Sequence, residues 1–232
     1  MKALAFFTLS TLATAAMAVT PPSSMTLSGP TSQTTNVQTS TVVNHAESGG
    51  AARQNMSSNA GSVSVSSSGN STQNTGLANV YVGNEAKSAN AEAQQNLASN
   101  NGKIQIKATS EQSAYAHGGG GINNVAEYGK ATAIQNVSSN YSDVKIDAKS
   151  TQYTDNTGSY LNNYASGNGA LAVQNVASNY GNVTIGSTST QIALLNNSGV
   201  YNSAHGGSIA VQNLSSNDAC AENPPCPNGV CQ

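Results

Sequence analysis

Between residues 25 and 219 the chain writes one polar/apolar pattern five times. Each copy opens on an apolar-x-apolar triplet: Met25/Leu27, Val63/Val65, Ile104/Ile106, Val144/Ile146 and Val183/Ile185. A lone Gln follows, then a Gly/Asn-rich turn, then an Asn. A strand of alternating small apolar residues next runs into Gln-Asn and closes at Ser-Asn. The strings ATAIQNVSSNYSDVKI (131–146) and ALAVQNVASNYGNVTI (170–185) show how closely two copies agree. The alternation has period two, which predicts half-buried β-strands and not amphipathic helices. In Asp143-Val144-Lys145-Ile146-Asp147 apolar residues alternate with charges, so one face suits a core and the other suits water.

Three markers keep one spacing. The lone glutamines are Gln33, Gln73, Gln112, Gln152 and Gln191, at intervals of 40, 39, 40 and 39 residues. The upstream asparagines are Asn44, Asn84, Asn124, Asn163 and Asn202, at intervals of 40, 40, 39 and 39. The pairs Gln54-Asn55, Gln95-Asn96, Gln135-Asn136, Gln174-Asn175 and Gln212-Asn213 start 41, 40, 39 and 38 residues apart. A straight strand of about 39 residues would reach roughly 130 Å, so each copy must fold back several times within one layer. The predicted fold is all-β: a β-solenoid, or single-chain cross-β stack, of five repeats of about 39 residues with layers about 4.8 Å apart. Like then lies over like. Buried Asn and Gln can bond to their own kind in neighbouring layers, which satisfies donors and acceptors that burial otherwise strands. The twenty amide residues named in this paragraph are accordingly expected to form structural ladders. Aligning Ile104 with Val144 also places Lys103 over Asp143 and Lys107 over Asp147, two opposite-charge pairs of about 0.2–1 kcal/mol each.

Composition sharpens the picture. Charged residues are 8% of the chain, against roughly 25% in ordinary soluble domains. Abundant Ser, Asn and Gly could mean disorder, but the prolines argue for pairing: Pro21, Pro22, Pro30, Pro224, Pro225 and Pro227 all lie near the ends, with none from 31 to 223. Proline is excluded from interior strands, and a disordered tract has no reason to avoid it. Residues 1–18, with Lys2, an apolar run and Ala16-Met17-Ala18, read as a secretory signal peptide cleaved after Ala18. A short linker (19–24), the repeats (25–219) and a tail (220–232) would follow. Without Lys2 the chain has seven basic and ten acidic residues, a net charge of −3, so no nucleic-acid partner is expected.

Catalytic patterns are missing. His45, His117 and His205 fall at different places in the repeat, near turns or glycines, and read as exposed loop histidines. No G-x-S-x-G or H-E-x-x-H motif occurs, and Gly118-Gly119-Gly120-Gly121 lacks a P-loop lysine and reads as a flexible insertion. Thr-x-Thr does not recur at one position, which argues against an ice-binding face. No enzyme activity, metal or cofactor is expected. In the tail, Cys220, Cys226 and Cys231 are an odd set among prolines: one disulfide plus a thiol for a partner suits an exported chain, with a zinc site as the competitor.

On these residues the chain resembles bacterial functional-amyloid subunits. NYASGNGALAVQNVASN (163–179) is similar to the Asn-x-Ala, Gly, Gln-x-Asn repeats of Fap fibril subunits, and GNGALAVQ (167–174) resembles the Gly-Asn-x-Ala…Gln half-repeat of curlins. The period near forty differs from the curlin period near twenty, and Gln112 and Gln152 lack the Asn five residues on. The tail spacing C-x5-C-x4-C differs from the C-x-x-C of Fap subunits, and long linkers between copies are absent. The resemblance implies secretion from a Gram-negative bacterium through an outer-membrane exporter with a periplasmic chaperone. It also implies polymerisation into extracellular fibres of the biofilm matrix, in some systems seeded by a minor nucleator subunit. Two alternatives stand beside it: a monomeric β-solenoid adhesin or surface-binding module, and, last, an enzyme on a β-helix.

Overall fold

A computed structural model describes residues 24–66 and 70–219. The signal-peptide reading of 1–18, the linker apart from Ser24, and the pairing of Cys220, Cys226 and Cys231 lie outside the described residues. Within them the chain is all-β and winds as a β-solenoid of five layers. The strands gather into four sheets, every pairing being parallel. The triplet sheet has eight strands, among them Met25–Leu27, Asn59–Val65, Asn100–Ile106, Val144–Ile146 and Val183–Ile185. The lone-Gln sheet comprises Thr31–Gln38, Ser71–Ala78, Ser110–His117, Ser150–Thr157 and Ser189–Asn196. The Asn sheet comprises Thr41–Glu47, Tyr81–Lys87, Gly121–Glu127, Tyr160–Ser166 and Gly199–His205. The Gln-Asn sheet comprises Ala51–Met56, Glu92–Leu97, Thr132–Val137, Leu171–Val176 and Ile209–Leu214.

Register follows the repeat. Gln112 pairs with Gln73 and Gln152, Asn124 with Asn84 and Asn163, and Gln135 with Gln95 and Gln174. Parallel in-register stacking needs the same side chain to fit the same slot in every layer, which is why the apolar residues also fall in columns. Val63, Val65, Ile104, Ile106, Val144 and Ile146 make one column pair, and Ala86, Ala93, Ala126, Ala133, Ala165 and Ala172 make a small-residue seam between the Asn and Gln-Asn sheets. Strands of the Gln-Asn sheet are covered on both sides: Ala133 and Gln135 face the Asn sheet, while Ile134 packs on Tyr141. In Thr132–Val137 and Leu171–Val176 five of six residues are buried, so these central strands lose the period-two exposure that their neighbours keep.

One corner recurs in every layer. Ser57, Ala98, Ser138, Ala177 and Ser215 take φ values of 48–50°, a left-handed turn at the end of each Gln-Asn strand. A residue with a Cβ costs roughly 1–2 kcal/mol there, and the next serine offsets it. Ser99, Ser139 and Ser178 each donate Oγ–H to the carbonyl two residues back, at 2.8 Å.

The run Gly118–Gly121 corrects a sequence expectation. The insertion is a single residue and not a loop: Gly121 already opens the strand Gly121–Glu127, paired to both neighbouring layers. Residues 118–120 span a bend that Asn79 and Val80 span one layer earlier, a difference of one residue. Glycine is required because Gly118 and Gly119 take φ values of 85° and 77°, and a Cβ on Gly120 would strike the Val80 backbone.

Candidate assembly site: the amide columns and the open layers

Four side-chain columns run the length of the stack as hydrogen-bonded chains. In the Asn column, Asn44 Nδ2 donates to Asn84 Oδ1 at 2.7 Å, Asn84 to Asn124 at 2.7 Å, Asn124 to Asn163 at 2.8 Å and Asn163 to Asn202 at 2.8 Å. In the Gln column, Gln95 Nε2 donates to Gln54 Oε1, Gln135 to Gln95, Gln174 to Gln135 and Gln212 to Gln174, at 2.7–2.8 Å. Beside it Asn96 donates to Asn55, Asn136 to Asn96, Asn175 to Asn136 and Asn213 to Asn175. The fourth column was not singled out from the sequence. It is the Asn of the closing Ser-Asn, with Asn59 donating to Asn100, Asn100 to Asn140, Asn140 to Asn179 and Asn179 to Asn217, at 2.7–2.9 Å. Its signal was in view, since that Asn recurs in all five copies.

In the Asn44 and Gln54 columns, which end of each amide is nitrogen is set by backbone partners. Asn84, Asn124 and Asn163 Nδ2 each donate also to a carbonyl, of Ala52, Ala93 and Ala133 respectively. Gln95 Nε2 donates to Asn123 O, and Gln135 Nε2 to Asn162 O. A flipped amide would put oxygen against oxygen at these places. The Asn44 column therefore donates toward the last layer and the Gln54 column toward the first; the Asn59 column runs with the former and the Asn55 column with the latter.

The lone glutamines depart from the expectation of amide-to-amide bonds. Gln73, Gln112 and Gln152 stack in register and are buried, yet their Nε2 groups donate sideways to the carbonyls of Ser99, Ser139 and Ser178 at 2.8–3.2 Å. Gln191 does the same to Ser216 at 3.0 Å. This column clamps the lone-Gln sheet to the serine corner within a layer. The serines also bridge layers: the Ser99 N–H donates to Ser58 Oγ, Ser139 to Ser99, Ser178 to Ser139 and Ser216 to Ser178, at 3.1–3.3 Å.

The charge test divides. Ile104 does pair with Val144. Among the described residues neither Lys103–Asp143 nor Lys107–Asp147 closes as an ion pair: Asp143 accepts from Asn182 Nδ2 at 3.2 Å and Asp147 meets Lys145 at 3.3 Å. On an exposed face two long side chains gain little from being held together, so correct register does not enforce contact. The histidines also need correcting, since all three lie in strands, His117 and His205 as final residues. His45 contacts Glu47 at 2.9 Å and Glu85 at 3.5 Å, and His117 contacts Asp155 at 3.3 Å. Among the described residues no group of three or more His, Cys, Asp or Glu could hold a metal ion.

Tyr141 and Tyr180 stack with ring centroids 5.4 Å apart and planes 8° from parallel, packed on Ile134 and Val173. Burial pushes the Tyr180 phenol up to about 12, with Asp218 adding to the shift. The Tyr141 phenol is raised further, by burial first and by Tyr180 and Glu92 after it.

The two end layers are cut surfaces of the same stack. Inward positions that are closed in the middle layers open at the last one: Leu195 is 40% and Leu214 39% exposed, whereas Asn156 and Val176, their partners one layer in, are fully buried. No protein-family model, curated protein or solved structure matches the chain.

Proposed function

We propose that this chain is a structural subunit that polymerises, layer upon layer, into extracellular amyloid fibres of a bacterial surface or biofilm matrix. One observation carries the reading. Among the described residues both end layers present unpaired strand edges, and their amide columns correspond in register as those of any two adjacent layers inside the chain do. Such edges template strand addition, and a contact between unlike faces that does not close grows a filament. Backbone pairing and amide columns would continue through each junction, which gives cross-β material its stability. Export as a signal-bearing precursor fits the low charge and the proline-free repeats, with an exporter, a chaperone and a nucleating subunit as partners.

A second reading, a monomeric adhesin or surface-binding module, draws on a cleft of about 410 Å³ lined by Glu92, Gln94, Asn101, Ile134, Tyr141 and Leu171. One experiment separates them. The purified mature chain should form thioflavin-positive fibres with a meridional reflection at about 4.7–4.8 Å. A chain that stays monomeric, with neither signal after long incubation, would overturn the fibre reading.

A further inference from the structure

The two ends of the described stack are complementary halves of one level. Inside the stack a single strand, Asn59–Val65, pairs along its whole length with Asn100–Ile106. Beneath it lies only Met25–Leu27, which covers Val63–Val65 and leaves the Asn59 half uncovered. At the other end Asn217–Asp218 pairs with Asn179–Tyr180, while no described strand pairs with the outer edge of Val183–Ile185. The first layer thus supplies the second half of the strand, and the last layer supplies the first half.

Resting on the fibre reading, we propose that successive copies join through a split strand. Asn217–Asp218 of one copy and Met25–Leu27 of the next share one level of the triplet sheet, with every other strand of the first layer in register on the last. The pairing then runs Gln191 to Gln33, Asn202 to Asn44, Gln212 to Gln54 and Asn217 to Asn59, extending the ladders inside the chain by one step.

Hydrogen-bond polarity supports this join. At the last layer one Asn column ends on the Nδ2 of Asn217, and the Gln and neighbouring Asn columns end on oxygens of Gln212 and Asn213. Asn202 Nδ2 faces the same way while donating to Ala172 O and Val211 O, just as Asn163 Nδ2 donates to two carbonyls and still to the next Asn in its column. At the first layer the order is reversed: Asn44 and Asn59 end on oxygen, and Gln54 and Asn55 end on nitrogen. Each donor at one face therefore meets an acceptor at the other. The serine column agrees, because Ser216 Oγ is buried with no hydrogen bond among the described residues, and the next serine in register is Ser58, whose N–H would donate to it. His205, the last residue of its strand, would sit over Glu47, an imidazole over a carboxylate. Two like faces cannot offer this match: the same groups would stand on both sides, with strands antiparallel and the columns out of line.

The test uses the mature chain with Cys220, Cys226 and Cys231 changed to Ser. Thr190 and Ser32 continue the outward column Thr72–Glu111–Thr151, so Thr190→Cys and Ser32→Cys should face each other across the junction. Their Cα atoms would be about 4.8 Å apart, inside the disulfide range of about 4.4–6.8 Å. The two single variants are mixed, assembled, oxidised, dissolved and run without reductant. Heterodimer is expected from the mixture and a ladder of multimers from the double variant. Neither single variant alone should cross-link, nor should the control of Thr190→Cys with Thr34→Cys, whose diagonal spacing is about 7–8 Å. Fibres that cross-link through Thr190→Cys alone, or equally through the control pair, would overturn the split-strand join while leaving the fibre reading intact. Absence of fibres from the cysteine-free parent would overturn both.

Discussion

Asn124 is the residue on which the stack's internal bonding can be measured. Its Nδ2 donates to Asn163 Oδ1 at 2.8 Å and to Ala93 O at 3.0 Å, and its Oδ1 accepts from Asn84 at 2.7 Å. The substitution Asn124→Ala removes three contacts and strands Asn163 Oδ1 in a fully buried site, while Asn84 Nδ2 keeps Ala52 O at 3.1 Å. A buried acceptor left unpaired costs about 1–3 kcal/mol and each lost bond about 1 kcal/mol, so the destabilisation should be about 2–5 kcal/mol. Asn202→Ala makes the same truncation in the open last layer. It too removes three contacts, to Asn163 Nδ2, Ala172 O and Val211 O, but at a half-buried position where water can reach the freed carbonyls, and Asn163 Nδ2 retains Ala133 O and Val173 O. Its cost should be about 0.5–1.5 kcal/mol. The assay is urea unfolding of freshly desalted, unassembled chain, followed by circular dichroism, with the midpoint shift multiplied by the slope. Equal losses at the two sites, or a loss below about 0.5 kcal/mol at Asn124, would refute the claim that these columns bear stability in the interior.

Two further outcomes follow from side chains outside the columns. Tyr141 Oη is buried with no hydrogen-bond partner among the described residues, so Tyr141→Phe should leave stability unchanged or raise it by about 1–3 kcal/mol in the same urea assay. Because the raised Tyr180 phenol is favoured neutral in the fold, its contribution should be full below about pH 10 and disappear as pH rises through its folded value of about 12. Ultraviolet titration of Tyr180→Phe should lack that late phenolate step. For Lys103 and Asp143, a double-mutant cycle should give a coupling below about 0.5 kcal/mol, since the pair does not close.

Much of this fold was legible in the sequence, because parallel in-register stacking turns a one-dimensional period directly into a contact map. Gln54 over Gln95 and Asn44 over Asn84 needed nothing beyond the spacing. What the period does not encode is how each layer folds back on itself. The lone glutamines illustrate this: their column position could be read, but whether Gln112 turns to Gln152 or to Ser139 depends on which strand lies across the layer. The glycine run around Gly120 hid its role for a similar reason, since the constraint is the Val80 backbone of another layer. The serine corner went unread because its turn rests on ordinary residues such as Ala98 and Ala177 in left-handed conformation, where no glycine marks the spot.

The opposed senses of the four columns bear on unlimited growth. In a helix every peptide dipole points the same way, and their sum builds a charge at each end. Here the two asparagine files aimed at the last layer are countered by two files aimed at the first. The moments largely cancel within each rung. A filament of these rungs could lengthen indefinitely without its amides accumulating a longitudinal field, and its tips would stay electrically as mild as those of one subunit.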